Sequence, residues 1–330
     1  MQTIREAISL SNALGARQII KKYLSPTPLY PYESLDRITG ARLFVKHENH
    51  NPTGTFKIRG GINLMHQLRS SGTNGVITYS TGNHGTSVAA SARMFGLDAV
   101  VVVPEGSNPL KVQSIKDAGA ELIAYGKDFE EAGKKVAQLV EERGLYFVHP
   151  ANEAHLINGV ATGFLEIIEM VPDLDVMMVP IGAGSEAAAA VSVLKQVRPD
   201  IEIIAVQAEA SCAAYQSWKK REILSAPNTT FAGGFATGKA YETPFSIYRD
   251  ALSDFVVLTE AELYQGIALA AHHTRNLCEG AGSACLRAAV KIRKQLSGKK
   301  VGIQMSGGNA CAEELQKAMA QACLISGVVD

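Results

Sequence analysis

The chain has no excess of either charge. Lys+Arg and Asp+Glu each count 32 among its 330 residues. That balance gives no electrostatic footprint for nucleic acid or for an anionic membrane surface. Aromatic residues are scarce at 6%, and no basic stripe carries aromatics between its charges, so nucleic acid is not an expected partner. The five cysteines, Cys212, Cys278, Cys285, Cys311 and Cys323, are odd in number, and no two have C-x-x-C spacing. Scattered thiols of this kind read as reduced, in a cytoplasmic protein. The segment from Met1 to Glu6 lacks a charged-then-apolar signal pattern. No apolar run is long enough to cross a bilayer. Three motifs are missing as well: GxxxxGK[ST], GxGxxG and HExxH. His47 and His50 flank Glu48 at the wrong spacing for a catalytic zinc. His272 and His273 lie on a helical pattern and read as structural.

What is present is an alternation of short apolar strands with longer helical patterns. Strands are expected at Val76–Tyr79, Ala99–Val103, Glu121–Tyr125, Val176–Val179, Ile203–Val206, Phe255–Leu258 and Val301–Met305. Nearly continuous apolar runs indicate strands buried on both faces. Strands separated by helices predict parallel pairing with right-handed crossovers. The expected fold class is therefore α/β, with two open, twisted, mostly parallel sheets flanked by helices. A smaller domain, 49–148, is expected as an insertion in a larger one formed by 1–48 and 149–330. The ligand site would occupy the cleft between them.

Glycine-rich turns stand where strands should end and helices begin, the usual ligand position in open α/β sheets. Gly182-Ala183-Gly184-Ser185 follows an apolar strand and opens an alanine-rich helix. Glycines allow close backbone approach, and a helix N-terminus offers unpaired N–H groups and partial positive charge to a phosphate. The alternative is a tight turn of small residues. Ser80-Thr81-Gly82-Asn83-His84 has donors for a carboxylate, although Ser, Thr and Asn are also ordinary helix caps. Lys57 lies between Phe56 and a glycine-flanked turn. Burial beside an apolar ring would lower its pKa and free its amine for Schiff-base chemistry; the alternative is a solvated lysine paired with a carboxylate. Ser306-Gly307-Gly308-Asn309 follows a further apolar strand, and Glu279-Gly280-Ala281-Gly282 marks another helix start.

With these segments in place, the chain resembles the fold-type II pyridoxal-phosphate enzymes, in particular the serine/threonine dehydratase and serine racemase group. The resemblance is carried by Gly54–Gly60, Ser80–Gly85, Pro180–Ser185, Glu279–Gly282 and Ser306–Asn309, in the family's order and over nearly the whole chain. It implies a cofactor, pyridoxal 5'-phosphate, covalently held by Lys57. Phe56 would pack near its ring and Asn83 would hydrogen-bond its 3-hydroxyl. Gly182, Ala183, Gly184 and Ser185 would hold its phosphate, and Ser306 would meet its ring nitrogen. Glu279 would lie close by. Ser80, Thr81, Gly82, Asn83 and His84 would grip the substrate carboxylate.

The implied activity is an ammonia-lyase that dehydrates a 3-hydroxy amino acid such as L-threonine or L-serine to a 2-keto acid and ammonia. Lys57 would take the α-proton, and the cofactor phosphate would serve as acid for the departing hydroxide. A serine facing the ring nitrogen makes a milder electron sink than an aspartate would, which favours loss of a β-leaving group over transamination. The alternatives are an amino-acid racemase, or a β-replacement enzyme of the threonine synthase type. Thr81 keeps racemisation open, because racemases carry a serine there. Gly233 stands where relatives often have aspartate. Glu209 and Ala213 resemble two members of the family's divalent-cation site, but no aspartate follows, so Mg²⁺ is doubtful. The resemblance also implies a homodimer or higher homo-oligomer. The chain ends soon after Asn309, which leaves no room for a C-terminal regulatory domain. The substrate side chain is expected near Phe129, His149 and Phe235.

Overall fold

The structure, a computed structural model, describes residues 4–107, 109–127 and 129–321. Its strands are β1 (Leu29–Pro31), β2 (Arg42–Lys46), β3 (Gly75–Tyr79), β4 (Asp98–Val103), β5 (Glu121–Ala124), β6 (Tyr146–Phe147), β7 (Val176–Pro180), β8 (Glu202–Ala208), β9 (Asp254–Leu258) and β10 (Lys300–Gln304). One sheet has the order β1-β2-β10-β7-β8-β9 and the other β5-β4-β3-β6. The β1–β2 pair is antiparallel; the other pairs are parallel.

The continuous apolar runs have a direct cause. Successive strand residues point to opposite faces, and both faces of the larger sheet are covered. Met177 and Val179 of β7 enter one buried cluster with Ile203 and Ala205 of β8. Val176 and Met178 enter another with Ile204 and Val206. A strand buried on both sides has no polar alternation to display.

Three strands lie outside the sequence expectation. Arg42–Lys46 is bounded by charged residues, yet it pairs β10 through the register Arg42↔Lys300 to Lys46↔Gln304. Leu29–Pro31 caps that edge. Tyr146–Phe147 joins β3 in the four-stranded sheet. Segments this short, or flanked by charge, carry little periodic signal.

The helix Lys57–Ser70 packs on the helix Ala154–Met170. Their contact is backbone on backbone. A Cβ on Gly159 would lie 2.8 Å from the Gly60 Cα, and a Cβ on Gly60 would lie 2.7 Å from the Leu156 carbonyl oxygen. These glycines set how deeply the Lys57 turn sits. No helix among the described residues is long and apolar enough to cross a membrane.

Candidate active site

Strands β7 and β10 are hydrogen-bonded neighbours running the same way, so the turns after them open side by side at one sheet edge. The Gly182 turn follows β7, and Ser306 follows β10. The Lys57 turn is pinned to the second of these. The Phe56 N–H donates to the Ser306 carbonyl (3.1 Å), and Gly308 N–H donates to the Gly54 carbonyl (2.8 Å). The Thr55 hydroxyl also donates to the Ser306 carbonyl, at 3.1 Å. Asn309 ties in two more segments, its Nδ2 donating to the Thr53 carbonyl (2.9 Å) and to Asn83 Oδ1 (2.8 Å). Asn83 Nδ2 in turn donates to Glu279 Oε1 at 2.6 Å. The Asn83 amide is thus oriented from both ends by groups far away in sequence.

The Gly182 turn joins the same constellation through Gly234. A Cβ on Gly182 would overlap the Gly234 carbonyl oxygen, and a Cβ on Gly234 would come within 2.6 Å of the Ala281 Cβ. Gly184 adopts φ +94°, a left-handed conformation that favours glycine, and closes the turn. Ala183 is half-buried and Ser185 is buried at the first helical position.

Three helices begin here without a side-chain cap: Asn83–Met94 at Gly82, Ser185–Val197 at Gly184 and Gly280–Lys291 at Glu279. The capping role open to Ser80 and Thr81 is not used at the helix start. The Ser80 hydroxyl instead accepts from the Gly82 N–H at 3.2 Å. First-turn N–H groups have no partner within their own helix, so three helix ends leave donors and partial positive charge at this cleft.

Lys57 begins its helix with Nζ 4.8 Å from the centre of the buried Phe56 ring. Burial lowers its pKa below the usual lysine range, against the pull of Glu186 and then Glu279. Burial pushes Glu279 up to about 7, opposed by its hydrogen bond from Asn83. His84 is held down to about 3 by burial and then by Lys57; its Nε2 lies 3.3 Å from the Val148 carbonyl. The imidazole is therefore neutral and packs against the Val148 backbone.

Sequence reasoning left Arg59, Lys46, Glu166 and Glu186 without a role, and gave His149 only a place near the substrate side chain. Arg59 is 1% exposed and grips Glu48 with Nε at 2.7 Å and Nη2 at 2.8 Å. Its Nη1 reaches Glu166 at 2.7 Å, and Lys46 Nζ reaches the same carboxylate at 2.5 Å. Two cations and two anions balance beneath the Lys57 turn. His149 accepts at Nδ1 from the Ala151 and Asn152 N–H groups (3.0 and 2.9 Å) and stacks edge-on against Tyr241. Glu186, buried in the first turn after Ser185, interrupts a run of small residues; that interruption was its one visible signal.

Phe235 is fully buried in the core beside Val206 and Leu258, so its ring does not line the cleft as expected. The side chain of Phe129 lies outside the described residues, as does Cys323. Glu209 is exposed at the start of a short helix, and Ala213 is buried. Among the described residues, no group of three His, Cys, Asp or Glu side chains gathers as a metal site.

Residues 20–307 match the family described as "Pyridoxal-phosphate dependent enzyme". An L-threonine ammonia-lyase of Geobacter sulfurreducens is 37% identical over 293 residues, spanning 88% of this chain and 73% of that protein. An L-threo-3-hydroxyaspartate ammonia-lyase of Saccharomyces cerevisiae is 31% identical over 97% of each chain. The solved structure of maize serine racemase superposes with a TM-score of 0.89 at 28% identity, covering 97% of this chain and 99% of that one. The site suits such a cofactor. A lysine kept short of its usual charge serves an aldehyde, and an uncapped helix start beside Gly182 and Gly184 serves a phosphate.

Proposed function

We propose an activity for this chain on one premise: it belongs to the pyridoxal-phosphate dependent enzyme family. It is an ammonia-lyase that dehydrates a 3-hydroxy amino acid, L-threonine, L-serine or a relative, to a 2-keto acid and ammonia. Similarity to the L-threonine ammonia-lyase supports the reaction class. The observation that carries the reading is the convergence of a half-buried lysine with three uncapped helix starts.

The residues divide the work as follows. Gly182, Ala183, Gly184 and Ser185 hold the cofactor phosphate through backbone N–H groups and the Ser185 hydroxyl. Phe56 covers the base of the ring pocket and excludes water. Asn83 presents an amide whose direction Glu279 and Asn309 fix. Ser306 offers a neutral hydroxyl, not a full charge, toward the ring nitrogen. Bound there, pyridoxal phosphate supplies the carbonyl that joins an amine and the electron sink that eases loss of the α-proton. Backbone groups of Ser80, Thr81, Gly82, Asn83 and His84 hold the substrate carboxylate. Lys57 Nζ, whose charge burial disfavours, takes the proton from Cα. Hydroxide then leaves Cβ.

The lobes of this enzyme are 49–148 and 1–48 with 149–330. Location in the cytoplasm is supported by Cys212, Cys278, Cys285 and Cys311, all free thiols. Assembly as a homodimer follows the family resemblance; sedimentation at micromolar concentration tests it. Among the described residues no group of three His, Cys, Asp or Glu side chains gathers around Glu209 to hold a divalent cation such as Mg²⁺.

Keto-acid release screened across serine, threonine and aryl-serines of both configurations tests the activity. Release from at least one L-3-hydroxy amino acid, abolished by Lys57→Ala, is expected. The likeness to maize serine racemase and the hydroxyl of Thr81 favour racemisation as a second reading. Formation of D-serine from L-serine without pyruvate would put that reading first.

A further inference from the structure

Asn83 meets the cofactor in the reading above, and an amide can do so in two ways. Its Nδ2 end donates and its Oδ1 end accepts. Turning the group by half a revolution exchanges the two ends with little change in shape. Whatever selects between these orientations selects whether the cofactor's 3-oxygen faces a donor or an acceptor.

Glu279 does not make that selection. Its Oε1 lies 2.6 Å from Asn83 Nδ2, yet burial pushes the carboxyl up to about 7. A carboxylate only accepts, whereas the protonated acid also donates, so near neutral pH Glu279 fits either end of the amide. The opposite side admits one arrangement. Asn309 bridges the Thr53 carbonyl (2.9 Å) and Asn83 (2.8 Å) with the same atom. A main-chain carbonyl has no proton to give, so the end of Asn309 that faces it is Nδ2. An amide nitrogen only donates, so the end of Asn83 that faces Asn309 is Oδ1. Asn83 Nδ2 is thereby turned to Glu279, which takes one of its two N–H groups. The other is left for the cofactor.

The neighbouring turn makes room for this arrangement. Gly54 adopts φ +70°, a conformation that favours glycine, and a Cβ there would overlap Asn309 Oδ1. Asn309 itself is exposed, in the loop between β10 and the helix Ala312–Gln321. Its hydrogen bonds serve the cleft and not the core.

We propose that Asn309 is a positioning residue that carries the polarity of the Thr53 carbonyl to Asn83, so that Asn83 offers the cofactor's 3-oxygen a donor and holds that oxygen ionised. The same amide ties the turn that bears Lys57 to the start of the Asn83–Met94 helix. A hydrogen bond given to the ionised form of an acid favours that form.

The proposal rests on pyridoxal phosphate occupying the site as read above, and the test separates the two claims. The full chain, freed of cofactor, is titrated with pyridoxal phosphate and followed by absorbance, which reports both uptake and whether the 3-oxygen is ionised. Asn309→Asp keeps the shape and removes the donor. Its carboxylate accepts from Asn83 Nδ2 and turns Oδ1 to the cofactor. Uptake should weaken about tenfold, and the band of the ionised 3-oxygen should lose intensity to that of the protonated form. Asn309→Ala removes the donor and adds no acceptor; uptake should weaken about threefold, with a smaller change in the bands. Both effects should vanish in an Asn83→Ala background, where Asn309 has no amide to orient. A merely structural role would persist there. Asn309→Asp that matches wild type in uptake and bands would overturn the proposal, as would an undiminished effect of Asn309→Asp in the Asn83→Ala background. Borohydride trapping at Lys57 in the wild type tests the cofactor reading by itself. Without trapping both claims fall; with it, the Asn309 variants decide the proposal alone.

Discussion

Two turns on one edge of the six-stranded sheet do the same geometric job in opposite ways. Each leads from a parallel strand to a helix: β7 through Gly182–Gly184 to Ser185–Val197, and β9 through Thr259 to Glu260–Leu269. The Thr259 turn satisfies itself. Its hydroxyl accepts from the Glu262 N–H at 3.2 Å, and the Glu262 carboxylate accepts from the Thr259 N–H at 3.0 Å. That capping box closes two donors, and Glu262 is anchored further by Arg287 and Lys291. The Gly184 turn has no side-chain cap. A turn built for structure alone fills its own donors; one built for a ligand leaves them open and takes its rigidity from elsewhere. At the Lys57 turn that outside support is the buried Arg59 cluster and the interlocked backbone of Thr55 and Ser306.

The largest way to break the contrast is to remove that support. Arg59→Met strands the fully buried Glu48 and should destabilise the fold by about 3–5 kcal/mol, measured by urea unfolding. A loss below about 1 kcal/mol would mean the open turn stands without the cluster. Acid comes next. His84 stays neutral in the fold, its pKa lowered from 6.5 to about 3, so the unfolded chain binds a proton first. Its stabilising contribution is complete above about pH 6.5 and fades as pH falls toward 3. Thermal unfolding between pH 7 and 4 should show a loss of roughly 3 kcal/mol from this group, and His84→Gln should flatten the slope by that amount. An unchanged slope would remove His84 from the account.

Gly182→Ala drives a methyl into the Gly234 carbonyl. Overpacking of about 1–3 kcal/mol should weaken cofactor uptake roughly ten- to hundredfold, read by absorbance titration. Uptake equal to wild type would mean the turn yields and its tightness is not needed. The smallest effect belongs to the closed turn. Thr259→Ala should cost about 1 kcal/mol of stability and leave uptake unchanged. A parallel fall in uptake would show that the two turns are not independent.

Much of the sheet was legible because strands buried on two faces read as unbroken apolar runs, as at Val100–Val103 and Ile203–Val206. β2 was not, since Arg42 and Lys46 bound it and its burial comes from β10, more than two hundred residues away in sequence. The glycine turns were legible as turns, and the family order named their expected partners. What stayed hidden was whatever depends on distant charge. Nothing in Gly54–Gly60 shows that Arg59 points inward to Glu48 and Glu166 while its neighbour Lys57 turns to the cleft. Glu186 stands second in a helix of small residues, and nothing in that run shows that it is buried. Phe235 was misread for the same reason, because a ring beside two glycines can face either the cleft or the core.

The most direct measurement is the site of covalent attachment. The holoprotein is reduced with borohydride, digested and mapped by mass spectrometry. The reduced pyridoxyl group should lie on the peptide that carries Lys57 and on no other, with the visible absorbance band lost on reduction. A label on a different lysine, or a protein that binds cofactor and yields no labelled peptide, would contradict the site described here.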